Sequence, residues 1–148
     1  MTKVLLATYM MISASLASAE TTTRVWSYAG GSIELTDNPA TQGEEAMTWS
    51  VEGADRNVKI DDVSGDNFSG SYAVSNQEGD VLADYYLSLI LNGSYAKTLP
   101  LLKDKNFRKA FKDIPESCED NANGILIISD ELKGEQSLYC LIPAPKQD

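Results

Sequence analysis

The residue types able to do chemistry in this chain are few, and the most informative count is zero. There is no histidine among the 148 residues, which removes Ser-His and Cys-His nucleophile systems and most zinc sites. The two cysteines, Cys118 and Cys140, lack the C-x-x-C spacing of a redox or metal pair. In an oxidising compartment such a pair becomes a disulfide. It would close a loop of about 23 residues, worth roughly 3 kcal/mol in the chain-entropy view. The G-x-S-x-G, G-x-x-x-x-G-K and G-x-G-x-x-G patterns are absent, so nucleophile-elbow, P-loop and dinucleotide readings have no support. Paired carboxylates for glycoside hydrolysis stay open, but acids are so abundant that any fold brings two together. Asp61-Asp62-Val63-Ser64-Gly65-Asp66-Asn67 sets oxygen ligands around a glycine; without EF-hand spacing or a distal Glu it reads as a solvated turn. No catalytic residue, metal or cofactor is expected, and the chain reads as a binding protein and not as an enzyme.

Composition narrows the partner. The formal net charge is −10, which disfavours nucleic acid, since phosphate binding needs Lys and Arg. Acidity of this size serves solubility, and it also favours encounter with a cationic protein. The charge is uneven: residues 20–96 hold 13 acids and three bases, whereas 97–113 hold six bases and two acids. That basic stretch reads as the solvated face of an amphipathic helix, with docking to an acidic partner or a second copy as the sharper alternative.

The elements that must position any site are mostly strands. Residues 1–19 have the form of a secretory leader: Lys3, an apolar run from Val4 to Leu16, and Ala17-Ser18-Ala19 as a small-x-small cleavage site. The apolar run falls short of the roughly 20 residues that cross a bilayer, so no membrane span is expected. Cleavage would leave one domain over residues 20–148 in the periplasm or outside the cell. Its 129 residues are enough for a core.

Period-two alternation predicts strands at 24–28, 32–36, 47–51, around Val58 and Ile60, and at 68–75, 81–91, 124–129 and 136–142. Turns are expected at Gly30-Gly31, 76–80 and 130–135. One helix is expected where Phe107, Ala110, Phe111 and Ile114 form an apolar stripe, with Thr98 as cap, Pro100 in the first turn and Pro115 at the end. The predicted fold is mainly β: an antiparallel β-sandwich or strongly bent sheet of about eight strands with this helix packed on it.

One segment, Ser69-Gly70-Ser71-Tyr72, resembles the Ser-Gly-x-Tyr motif of bacterial periplasmic lysozyme inhibitors, especially those acting on invertebrate-type lysozyme. The resemblance extends over these four residues. It implies a small exported β-rich protein whose motif enters the lysozyme cleft. Ser69 and Tyr72 would meet the catalytic carboxylates, Gly70 would allow close backbone approach, and Ser71 would lie between. A hydroxyl pair can bond carboxylates without burying charge, and Tyr is a rigid interface anchor. Immunity proteins of type VI secretion systems share the broad profile of a small, exported, disulfide-bearing domain. Both classes imply the same function, occlusion of a peptidoglycan hydrolase. The alternative is an envelope assembly subunit that adds a strand to another copy, as in a homodimer, through the apolar run 81–91.

Overall fold

The computed structural model describes residues 21–37, 45–91, 104–115 and 117–145. Eight antiparallel strands run in chain order: β1 (Thr22–Tyr28), β2 (Gly31–Asp37), β3 (Ala46–Val51), β4 (Ala54–Ser64), β5 (Asn67–Ser75), β6 (Val81–Ile90), β7 (Gly124–Asp130) and β8 (Glu135–Pro143), with the short helix α1 (Lys105–Lys109) before β7. Each strand pairs with the next, and β8 returns to β1, closing the sheet into a barrel.

The expected sandwich or bent open sheet is therefore wrong. Two bulges let the ribbon curl. One lies between Ile60 and Asp62 in β4, the other at Leu82 in β6, opposite Val74 and Ser75 of β5, and a bulge bends its strand and deepens its twist. Strand β4 pairs through its first half with β3 and through its second half with β5, so it turns the corner that a sandwich would give to a loop.

Closure gives the barrel a single interior, filled from every strand. Trp26, Ile33, Leu35, Met47, Trp49, Val58, Phe68, Leu87, Leu89, Leu126 and Leu141 are buried in one cluster. These are alternate positions of their strands, as the pleat requires. Gly70 shows how tight the wall is. A Cβ there would collide with the carbonyl oxygen of Lys59 and crowd Val58, so only glycine fits between β4 and β5.

A second, smaller cluster lies outside the barrel. Ile125 and Leu138 point outward yet are fully buried, beneath Phe107, Phe111 and Ile114. The covering segment begins with α1, whose N-cap Asp104 accepts from the backbone N–H groups of Asn106 and Phe107 at 2.8 and 3.2 Å. The cap is thus Asp104, and the expected cap at Thr98 with Pro100 lies outside the described residues. The helix is also shorter than its stripe. Beyond Ala110 the chain stretches along β8: Lys112 N–H donates to Gln136 O at 2.6 Å, and Leu138 N–H to Asp113 O at 2.8 Å. Sheet bonds have replaced the last helical turn, and Phe111 and Ile114 reach the cluster from extended backbone.

This strap fills a gap. Strand β1 meets β8 only at Trp26↔Pro143 and Ser27↔Ile142, so the first half of β8 has no β1 partner, and Asp113 bridges to it at Ser137. The Cys118–Cys140 disulfide fastens the strap to β8. No helix among the described residues is long and apolar enough to cross a membrane. The apolar run 81–91, expected as an adhesive edge, is paired with β5 from Val81 to Ile90 and with β7 from Tyr85 to Ile90.

Candidate functional site

The β1–β2, β3–β4, β5–β6 and β7–β8 turns all fall at one end of the barrel, as up-and-down topology demands. Inside that end the aliphatic core gives way to aromatics. Tyr28 comes from β1, Trp49 from β3, Tyr72 from β5, Tyr85 from β6 and Tyr139 from β8. They contact one another in edge or tilted geometry: Trp49 to Tyr85 at 5.0 Å, Trp49 to Tyr72 at 6.2 Å, and Tyr28 to Tyr139 at 4.7 Å. The indole Nε1 of Trp49 donates to the Tyr28 hydroxyl at 2.7 Å, which settles the polar tips of both rings.

Into this nest β4 delivers one cation. Arg56 is paired directly across from Trp49 in the β3–β4 register, so its side chain falls on the indole. The guanidinium carbon lies 4.6 Å from the Trp49 ring, 5.4 Å from Tyr72 and 5.8 Å from Tyr85. Among the described residues no carboxylate forms an ion pair with it, the recorded pair there being Lys112 with Glu135 at 2.9 Å. A guanidinium stacked by its face keeps its edge N–H donors for an oxyanion.

Above these side chains opens a cavity of about 590 Å³ with Tyr28, Trp49, Arg56, Tyr85 and Tyr139 on its wall and Glu52, Lys112, Asp130, Lys133 and Glu135 at the rim. Most rim charges have structural work. Lys112 and Glu135 satisfy each other, and Glu135 holds the Lys112 ammonium above its ordinary range. Asp130 Oδ1 accepts from Leu132 N–H and Lys133 N–H, both at 3.2 Å, fixing the β7–β8 turn.

Burial, with a smaller contribution from Tyr139, holds the Tyr28 phenol above its ordinary value near 10, against the opposing effects of Trp49 and Arg56. A raised folded-state value means that folding resists ionisation. The contribution is fully present below pH 10 and is lost as pH rises through the folded value. Tyr86, on the outer face, is raised too, first by burial and then by Asp61, which accepts from its hydroxyl at 3.1 Å. Tyr28→Phe should therefore lower stability by about 1–2 kcal/mol at pH 7, where the Trp49 N–H loses its acceptor. The same variant should lose less than the wild type between pH 9 and about 10.5. Urea midpoints at the three pH values measure both effects.

The four residues of the Ser-Gly-x-Tyr segment lie in β5 and divide between two faces. Gly70 and Tyr72 point into the barrel; Ser69 and Ser71 point out and are half-buried. Tyr72 packs on Trp49 and Arg56 and so belongs to the aromatic end. Ser69 lies on the outer wall, where it lowers the pKa of the Tyr86 phenol against the raising effects of burial and Asp61. The cysteines form the Cys118–Cys140 bridge. In the segment 61–67, residues 61–64 continue β4 and the turn is confined to Gly65-Asp66. Among the described residues no three candidate ligands gather to hold a metal.

Sequence reasoning missed Arg56. Its signal was present: an arginine at the inward position of the alternation Arg56-x-Val58-x-Ile60. The opposite end carries a related pair. Arg24 lies 5.4 Å over Trp26, whose Nε1 donates to Asn123 Oδ1 at 2.8 Å. A cavity of about 500 Å³ adjoins it, and the buried Arg24 Nε has no partner among the described residues. Comparison with known proteins finds no matching family model, no matching curated protein and no matching solved structure.

Proposed function

We propose that this is an exported, non-catalytic binding protein whose aromatic cup captures a small ligand pairing an anionic group with a flat or apolar body. The observation that carries this reading is Arg56. A guanidinium is laid on Trp49 at 4.6 Å without a carboxylate partner among the described residues, on the wall of a cavity of about 590 Å³. That volume falls within the range of ligand pockets, in which polar groups fix a ligand's orientation. The disulfide suits an oxidising compartment, and together with the leader-like residues 1–19 it supports a periplasmic or secreted location.

Neutralisation of a cationic peptidoglycan hydrolase is the second reading. It is favoured by the exposed carboxylates Asp55, Asp61, Asp62 and Asp66 on and beside β4, a surface that would attract a basic protein.

Calorimetric titration of the purified protein with simple carboxylates and phosphates tests the first reading. Arg56→Gln should weaken the best binder by about 10- to 100-fold, the worth of a charge-assisted bidentate contact, while the urea midpoint moves little. Binding that ignores Arg56→Gln would remove the cup from consideration. Residual muramidase activity measured on the same preparations tests the second: stoichiometric inhibition would place the function on the acidic wall, and its absence across a lysozyme panel would set that reading aside.

A further inference from the structure

Resting on the cup as the binding site, we infer that its ligand is a zwitterion, a free amino acid or short peptide whose carboxylate meets Arg56 and whose ammonium meets Glu52. The argument begins at a backbone that does not suit its residue. Strands β3 and β4 are joined by Glu52-Gly53, with φ of 53° and 81°, both in the left-handed region. Two-residue turns of this kind favour Asn, Asp or Gly at the first position, because other L-residues are strained there. Glu52 is the one non-glycine residue with positive φ among the described residues. Nothing in the turn requires its side chain, and a Cβ at the neighbouring Gly53 would meet only open space.

Glu52 is one of the residues that border the cavity. Glu52 stands on the lip of the hairpin that also carries Arg56, four residues on. Carboxylate and guanidinium do not pair, because the register sends Arg56 back onto Trp49. One hairpin thus presents an anion-binding group on the cavity wall and a cation-binding group at its turn, with no ion pair between them. Tyr28 and Tyr139 line the same cavity, and aromatic faces accept either an apolar side chain or an ammonium. The other rim carboxylates are engaged, Glu135 by Lys112 and Asp130 by its own turn. Lys133, on the opposite hairpin, gives a longer ligand a second anionic contact. A simple anion would leave Glu52 facing it across the cup, so the ligand that fits both groups carries both charges.

The experiment is calorimetry on the purified, disulfide-bonded protein. The probes are free α-amino acids and di- and tripeptides, each with its N-acetyl and C-amide derivatives. The best free probe should lose at least tenfold in affinity on acetylation and again on amidation, and its length separates amino acid from peptide. Glu52→Gln should reduce affinity for the free probe to that of the acetylated one, while leaving the acetylated probe unchanged. Glu52→Asn should raise the melting temperature by about 2–4 °C, because asparagine tolerates the left-handed turn, and should still lose the free probe. If the acetylated probes bind as well as the free ones, or if Glu52→Asn leaves affinity intact, the zwitterion inference is overturned and the anion-binding cup stands. If neither these probes nor simple carboxylates and phosphates bind, both readings fall together.

Discussion

Trp49→Ala is expected to cost about 4 kcal/mol of stability and to abolish binding in the cup. The magnitude follows from position. Trp49 is 4 % exposed and stands where the aliphatic core meets the aromatic end, opposite Ile33 on one side and Arg56 on the other. Truncating a buried large aromatic removes its transfer free energy and leaves a cavity, for a usual loss of 3–5 kcal/mol. Here the loss spreads to partners: Tyr28 loses the donor 2.7 Å from its hydroxyl, Tyr85 and Tyr72 lose an edge contact, and Arg56 loses the face on which it lies.

Against a net stability of about 5–15 kcal/mol, the variant should remain folded but marginal, so the decisive comparison uses a gentler change. Trp49→Phe keeps an aromatic face and gives up the indole N–H. It should cost about 1–2 kcal/mol and keep most of the binding. A double-mutant cycle of Trp49→Leu, which removes the aromatic face, with Arg56→Met then isolates the stacking contact. A coupling of about 0.5–2 kcal/mol supports an arginine held by the indole, whereas additive effects would mean that Arg56 is placed by β4 alone.

Much of the barrel's wall was legible in the sequence, and its closure was not. The alternation Met47-x-Trp49-x-Val51, or Ala83-x-Tyr85-x-Leu87-x-Leu89, fixes which side of a strand is inward. That period is the same for a sheet facing another sheet and for a sheet facing itself. What distinguishes the two is pairing between the chain's distant ends, Trp26 with Pro143 and Ser27 with Ile142, and no local pattern encodes it. The polar run from Asp61 to Ser64 reads as a turn because it lacks alternation, yet it is strand. Its carboxylates face solvent, and the bulge after Ile60 lets the ladder resume. The stripe of Phe107, Phe111 and Ile114 found the right apolar side chains and the wrong backbone, because hydrogen bonds to Gln136 and Leu138 take over beyond α1.

The cup was the least legible feature. Its aromatics come from five strands, so no motif of contiguous residues contains it, and the one contiguous motif that stood out is split by the pleat between two faces. The physical clue was a charged residue at an inward position. Arg56 is tolerated there because it is half-buried beside a cavity and its guanidinium lies against Trp49, Tyr72 and Tyr85.

The disulfide ties this site to the stability of the wall. Replacing Cys118 and Cys140 together by serine is expected to lower the unfolding free energy by about 3 kcal/mol, the loop-entropy value for a bridge of this span, across a separation of 22 residues. The structural consequence should be local before it is global. The bridge holds the strap that covers Ile125 and Leu138 and that supplies the missing partner for the first half of β8. With the strap loosened, two outward-facing apolar side chains meet water, and the Lys112–Glu135 pair on the cup rim loses its geometry. Hydrogen exchange reports this directly. The Leu138 amide, which donates to Asp113 O at 2.8 Å, should exchange faster in the double-serine protein by more than the global loss accounts for. Amides in the β2–β3 ladder should slow or quicken only with global stability. Binding in the cup should weaken with the strap, because Lys112 and Glu135 form part of its rim. Uniform acceleration across all strands would mean that the strap has no independent opening, and that the bridge acts on the unfolded chain alone.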